Sequence, residues 1–133
     1  MKISACQSDK FQFVKQLDKL EFDEVKIMYQ AIMKAAREWV EQIQEKYASK
    51  ITVDVERDEV DCFHVFIETP NSISELCVSK PYFAPYRYVS FLVMDVHKSV
   101  DSLPVFHYYD KDSDTVEEIF NQLNAGIAIS LSL

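Results

Sequence analysis

Residues 23–47 form the longest amphipathic stretch of the chain, and this stretch limits the folds that are open to it. From Asp23 to Tyr47 apolar side chains recur at spacings of three and four, without Gly or Pro. The spacing predicts one helix about 37 Å long. A helix of that length covers a whole small sheet, so its apolar stripe, which includes Trp39, is predicted to be core.

The remaining periodicities predict an α+β domain. A short helix is predicted over residues 8–20, and strands over residues 51–56, 60–68, 75–79, 86–96 and 105–109. The strand over 86–96 is apolar on both faces, so a central position is expected. Asp114 is predicted to begin a last helix, with Glu117 at the capping-box position and Gly126 as C-cap. Residues 127–133 alternate between large apolar and small side chains, which predicts a final strand.

Together these elements define the fold expected from the sequence. Two N-terminal helices, one of them long, pack on a mainly antiparallel sheet of about five to six strands. A short C-terminal helix and a last strand follow. No linker or repeat interrupts the chain, so residues 1–133 are predicted to form a single α+β domain.

Glycine is unusually scarce, and its scarcity excludes several functions. An average chain of this length has about nine glycines, whereas this one has only Gly126. Glycine-rich turns let a backbone adopt positive φ or approach a phosphate closely. P-loop, Rossmann and nucleophile-elbow motifs are therefore absent from the sequence.

Charge and cysteine usage limit the partners and the compartment. Fourteen Lys and Arg against 22 Asp and Glu give a net charge of −8, which disfavours nucleic acid and anionic membrane surfaces. No uncharged apolar run approaches the ~20 residues that span a bilayer, and no signal-peptide pattern is present. The three cysteines are odd in number and widely spaced. They indicate neither a disulfide framework nor paired metal knuckles, and a cytoplasmic location is predicted.

Two groups of residues have some features of a metal site. Asp110, Asp112 and Asp114 match the first three ligand spacings of a calcium loop, but Thr115 replaces its glycine and Asn121 its closing glutamate. A solvated loop before a helix is the favoured interpretation. The second group is Cys62 and His64 with His97, His107 or Cys77.

For the second group, structural roles are favoured over zinc binding and over a Cys-His nucleophile. Buried cysteines usually act as small hydrophobic residues, and a strand histidine often makes an ordinary hydrogen bond. Acid-base catalysis by paired carboxylates has no positive support. The sequence therefore predicts no catalytic residue, no metal and no cofactor.

The acidic residues are concentrated in the second part of the chain. Residues 1–50 carry a net charge of +1 and residues 51–133 a net charge of −9. The predicted first hairpin holds a dense group of carboxylates, namely Asp54, Glu56, Asp58, Glu59 and Asp61. Such a run is commonly only a solvated face. The sharper hypothesis is an anionic patch that steers a basic partner into place.

An aromatic segment supplies candidate contacts for the same partner. Residues 80–88 hold four aromatic and two cationic side chains around two prolines. Tyr82, Phe83 and Tyr86 are the predicted contact residues, because aromatic side chains on a pre-ordered loop bury large areas at modest entropic cost. The alternative is a rigid connection whose rings cap the core.

In size, charge and composition the chain resembles stand-alone immunity proteins and antitoxins, and also acidic secretion chaperones. This resemblance implies a domain that occludes a basic toxin or effector without performing chemistry. The alternative is a small-ligand or enzymatic pocket between the long helix and a curved sheet, as in cystatin-like and NTF2-like folds, with His64, His97 and Trp39 as its first candidates. A homodimer formed through the exposed sheet is the third hypothesis.

Overall fold

The computed structural model describes residues 19–80, 85–99 and 101–133. Along the chain, one helix precedes five strands and a second helix follows them. The elements are α1 (Lys19–Lys46), β1 (Thr52–Glu59), β2 (Cys62–Thr69), β3 (Ser72–Ser79), β4 (Val89–Asp95), β5 (Phe106–Tyr109) and α2 (Val116–Ser132). The predicted α+β class, with its antiparallel sheet and long N-terminal helix, is confirmed.

The five strands form an antiparallel meander, in which each strand pairs with its neighbours in sequence. The order β1-β2-β3-β4-β5 places β3 at the centre, so the strand predicted to be central, β4, is internal but second from the edge. β1 contains a bulge between Val55 and Arg57. Beyond a bulge the alternation of faces is displaced by one residue, which brings Asp58 to the face that Val55 occupies.

Both helices pack on one face of the sheet. That face presents the buried residues Val65, Leu76 and Phe91, which lie directly across from one another on β2, β3 and β4. From α1, Trp39 packs edge-to-face on Phe91, with ring centroids 5.8 Å apart, and its indole N–H donates to Asn124 of α2 over 2.8 Å. Trp39 is only 4% exposed, which confirms its predicted place in the core. Within the described residues, no helix is long and apolar enough to cross a bilayer.

The N-cap of α2 lies one residue later than predicted, and the helix extends further. Its N-cap is Thr115, whose hydroxyl accepts from the Glu118 N–H while the Glu118 carboxylate accepts from the Thr115 N–H. The capping box is therefore Thr115 and Glu118, and not Asp114 and Glu117. Asp114 instead accepts hydrogen bonds from the Tyr108 hydroxyl and the Lys111 N–H.

The predicted last strand is wrong, because α2 continues through residues 127–132. Ile127 and Ser130 are buried on the side that Ile119 and Leu123 also occupy, which is the three-and-four spacing of a helix. The described sheet accordingly has five strands. The helix predicted over residues 8–20 lies outside the described residues, apart from its last two positions, which belong to α1.

Gly126 is not a C-cap but a point of close contact inside α2. A Cβ built there would lie 2.5 Å from Cε2 of Phe91 and 2.8 Å from Cε2 of Phe106. Phe91 is fully buried, so its ring cannot swing aside into solvent. The absence of a side chain at residue 126 lets α2 approach the sheet at β4 and β5.

We expect Gly126→Ala to destabilise the protein by about 1–3 kcal/mol, because overpacking against Phe91 and Phe106 outweighs the better helix propensity of alanine. Urea denaturation measures the change. The control is Ala125→Gly at the exposed neighbouring position, which should cost about 1 kcal/mol through propensity alone. A Gly126→Ala variant more stable than the wild type would contradict the close packing.

Candidate functional site

The sheet has a second face, which we call the open face, and neither described helix packs on it. Residues on the open face alternate along each strand with residues on the core face, since successive strand residues point to opposite sides. Its described members include Thr52, Asp54 and Arg57 on β1, His64, Phe66 and Glu68 on β2, Ile73, Glu75 and Cys77 on β3, Ser90, Leu92 and Met94 on β4, and His107 and Tyr109 on β5. All of these side chains are partly or fully exposed to solvent. Arg57 lies directly across from His64 and pairs with Glu59.

The middle of the open face is apolar. Ile73 lies directly across from Met94, and Phe66 and Leu92 lie on either side of Glu75. All four apolar side chains are half-buried. Directly opposed residues on neighbouring strands contact one another, so these side chains form a continuous apolar surface around one carboxylate.

One cross-strand row joins this apolar surface to the sheet edge. Asp54 lies across from Phe66, Phe66 across from Glu75, Glu75 across from Leu92, and Leu92 across from His107. We call these five residues the Phe66 row. Strands are about 4.8 Å apart, so the two carboxylate-bearing positions, on either side of Phe66, are separated by about 10 Å.

His64 and Glu75 form a close pair beside this row. Nε2 of His64 lies 2.6 Å from Oε2 of Glu75, and the imidazole ring lies 5.0 Å from the Phe66 ring. An ionised carboxylate only accepts hydrogen bonds, so the imidazole N–H is the donor. Sequence reasoning missed Glu75, although the alternation of Ile73, Glu75 and Cys77 is the signal that places it on this face.

Cys77 lies directly across from His64, but its thiol is not activated. Burial raises the pKa of the Cys77 thiol, so the protonated and less nucleophilic form is favoured. Its Sγ lies 3.9 Å from the Ser79 hydroxyl. Tyr86 stacks on Tyr109, with ring centroids 5.8 Å apart, and burial raises the pKa of its phenol. Cys77, Tyr86 and Tyr109 thus form a packed border of the open face without a charged side chain.

The predicted acidic patch divides into two groups. Asp58 accepts from Nε of Arg37 on α1 over 2.7 Å, and the same guanidinium donates to the Glu59 carbonyl over 2.7 Å. Glu59 also pairs with Arg57 over 3.0 Å. These contacts hold the end of the first hairpin against α1, so Asp58 has a structural role that its position in an acidic run did not reveal.

Other carboxylates are not engaged in this way. Asp54 and Glu56 on β1 and Glu68 on β2 are exposed, and within the described residues none of them forms an ion pair. We call these three residues the edge acids. Glu68 was missed because it stands alone in the sequence. Asp61 is partly buried in the β1–β2 turn and does not belong to this group.

The described strands contain seven acidic residues and one basic residue, with no lysine. The cations of the aromatic segment do not offset this charge on the open face. Nζ of Lys80 lies 4.6 Å from the centre of the Tyr29 ring on the core side, and burial lowers the pKa of Lys80. Of the predicted aromatic contacts, Tyr82 and Phe83 lie outside the described residues, and Tyr86 borders the open face.

Two of the three calcium-loop aspartates, Asp110 and Asp114, accept side-chain hydrogen bonds within the fold, whereas the Asp112 side chain is exposed. Oδ1 of Asp110 accepts from the N–H groups of Tyr88 and Val89 over 2.7 and 2.8 Å, and Oδ2 accepts from Arg87 over 3.1 Å. Arg87 continues to the carbonyls of Asp112 and Asp114, 3.2 Å away in each case. This network ties the start of β4 to the loop before α2. The Tyr108 hydroxyl donates a hydrogen bond to Asp114, and this bond lowers the pKa of the Asp114 carboxyl.

The proposed zinc ligands are not brought together. Cys62 is fully buried and disulfide-bonded, whereas Cys77 is a free thiol. The sequence indicated no disulfide framework, and the bonded state of Cys62 makes its sulfur unavailable as a zinc ligand. His97 bonds Asn71 through Nε2 over 2.8 Å at the β2–β3 turn, whereas the His64–Glu75 pair lies further along these strands. Among the described residues, no three His, Cys, Asp or Glu side chains form a metal-holding group.

The residues suggested for a pocket between helix and sheet are likewise separate. Trp39 is packed in the core, His64 projects from the opposite face of the sheet, and His97 lies in the exposed turn after β4. A surface depression of ≈ 420 Å³ lies elsewhere, along α1, and its described lining is Glu38, Glu41, Gln42, Glu45 and Lys46. That lining has neither the apolar walls nor the convergent polar groups of a small-molecule site.

We expect Asp110→Ala to lower the free energy of unfolding by about 3–5 kcal/mol, because it leaves the guanidinium of Arg87, itself 14% exposed, and two buried N–H groups without their acceptor. Asp112→Ala, at an exposed position of the same loop, should change it by about 0.5 kcal/mol or less. Urea denaturation compares the two. A wild-type melting temperature that rises with calcium would contradict the structural role of this loop and favour an ion site.

Comparison with known proteins identifies no matching family model, no curated protein and no solved structure that is significantly similar. The open face is the described surface on which apolar, aromatic and anionic groups lie together. It is the candidate functional site.

Proposed function

We propose that this chain is a binding domain that captures a cationic protein partner on the open face and acts by occluding it. The observation that carries the proposal is the composition of that face. Half-buried Phe66, Ile73, Leu92 and Met94 form its centre, and exposed carboxylates without an ion pair border it at β1 and β2. Neither described helix covers it.

The arrangement fits the general anatomy of protein interfaces. Their affinity comes mainly from a desolvated apolar and aromatic centre, whereas the polar rim contributes orientation and rate. Complementary charge at the rim speeds the encounter and disfavours partners of the wrong sign. Asp54 and Glu68 lie on the open face, where such a rim is expected, and the excess of acidic over basic residues in the strands selects a cationic partner.

The mode of action that we propose is that of an immunity protein, an antitoxin or a secretion chaperone, in which the bound surface of the partner is masked. Burial raises the pKa of the Cys77 thiol, which supports a binding role over thiolate chemistry. A cytoplasmic location stays a prediction. Titration of free thiols in protein taken directly from its host tests it.

A display selection tests the proposed specificity. The protein is immobilised and a random peptide library is selected against it. We expect the recovered peptides to combine Lys or Arg with aliphatic or aromatic residues. Replacing the edge acids together (Asp54→Asn, Glu56→Gln, Glu68→Gln) should slow association of these peptides by about tenfold or more at low salt and flatten its salt dependence. Asp58 is left intact because Arg37 depends on it.

The matched control removes the same charge elsewhere. Glu41→Gln, Glu45→Gln and Asp101→Asn alter exposed positions away from the open face, so association should change by less than about twofold. Light scattering on the wild type reports whether the open face is instead covered by a second copy of the chain. Selection of acidic peptides, or equal slowing by both triple variants, would contradict the proposal.

A further inference from the structure

The Phe66 row places one aromatic ring between two carboxylates. Asp54 and Glu75 lie directly across from Phe66 on its two neighbouring strands, so each backbone is one strand spacing, about 5 Å, from that of Phe66. The ring is half-buried, and both carboxylates reach solvent. An aromatic ring attracts a cation, and flanking negative charge adds to the attraction.

Glu75 is oriented for an incoming donor. Its Oε2 is held by His64 at 2.6 Å, which fixes the position of the carboxylate, while the side chain is still 41% exposed. Within the described part of the chain, Oε1 accepts no hydrogen bond. Asp54, on the other side of the ring, forms no ion pair there either. The row therefore has acceptor capacity on both sides of Phe66.

We propose that the Phe66 row binds one arginine side chain of the partner, with the guanidinium over the Phe66 ring and its N–H groups donating to Glu75 and Asp54. The inference rests on the proposed function and specifies the chemistry of the captured segment. Leu92, beyond Glu75, offers an apolar surface for the residue next to that arginine. The captured segment is thus a basic one in which an arginine adjoins an apolar residue.

Arginine fits this row better than lysine does. The guanidinium is planar, so it stacks on a ring while its N–H groups point outward in the plane towards two separate acceptors. An ammonium group is more strongly hydrated, and its three donors cannot lie in one plane parallel to the ring. The row distinguishes the two cations by shape, whereas Glu56 and Glu68 respond to charge alone.

The test is a titration of ¹⁵N-labelled full-length protein with N-acetyl-L-arginine amide, its citrulline counterpart and N-acetyl-L-lysine amide, followed by backbone amide shifts. We expect saturable shifts at residues 54, 66 and 75 with the arginine compound, weaker binding of the lysine compound, and none of the uncharged citrulline compound. Glu75→Gln and Asp54→Asn should each weaken arginine binding about tenfold. Glu68→Gln, which removes the same charge from the same face, should change it less than about twofold.

Three outcomes would overturn the inference: equal affinity for citrulline and arginine, unchanged arginine affinity in Glu75→Gln, or shifts spread over all acidic residues without saturation. The ligand comparison on the wild type needs no variant to fold. The two proposals fail separately. A selection that yields no basic peptide counts against the proposed function alone, whereas basic peptides that bind Glu75→Gln as tightly as the wild type count against the arginine site alone.

Discussion

The ring of Phe91 is the contact that holds both helices on the same face of the sheet. It meets Trp39 of α1 edge-to-face at 5.8 Å, packs against Phe106 of β5 at 6.3 Å, and lies where a side chain at residue 126 of α2 would have to fit. Because one buried ring serves both helices, they lie side by side on the core face. The opposite face of the meander is thereby left without a described helix.

The register of the strands then decides what the open face carries. Phe91 points into the core, so Leu92 points away from it, and the pairings across β2 and β3 align Leu92 with Glu75 and Phe66. A slip of one residue would exchange the two faces and bury Glu75 under the helices, where an unpaired carboxylate is strongly unfavourable. The packing of the core therefore fixes the arrangement of the candidate site.

Periodicity alone predicted the class, the long helix and the first hairpin, because each involves local patterns repeated over many residues. It did not predict the end of α2, since seven residues that alternate large and small side chains satisfy a strand and a helix almost equally. Gly126 was predicted to be a C-cap. The contact that requires glycine at this position involves Phe91, which is distant in sequence. Asp54, Glu56 and Asp58 looked alike in the sequence for the same reason, since only the fold brings Arg37 to Asp58.

The division of the carboxylates is the strongest argument that the open face is functional. Asp58, Asp110, Asp114 and Glu118 each accept specific hydrogen bonds that close a hairpin, a loop or a helix end. The edge acids make no such contribution, yet they add to a net charge of −8, whose self-repulsion disfavours the compact state. Solubility alone would be served by carboxylates at any exposed position. The placement of Asp54 and Glu68 on the same face as a half-buried apolar surface supports the binding role that we propose for it.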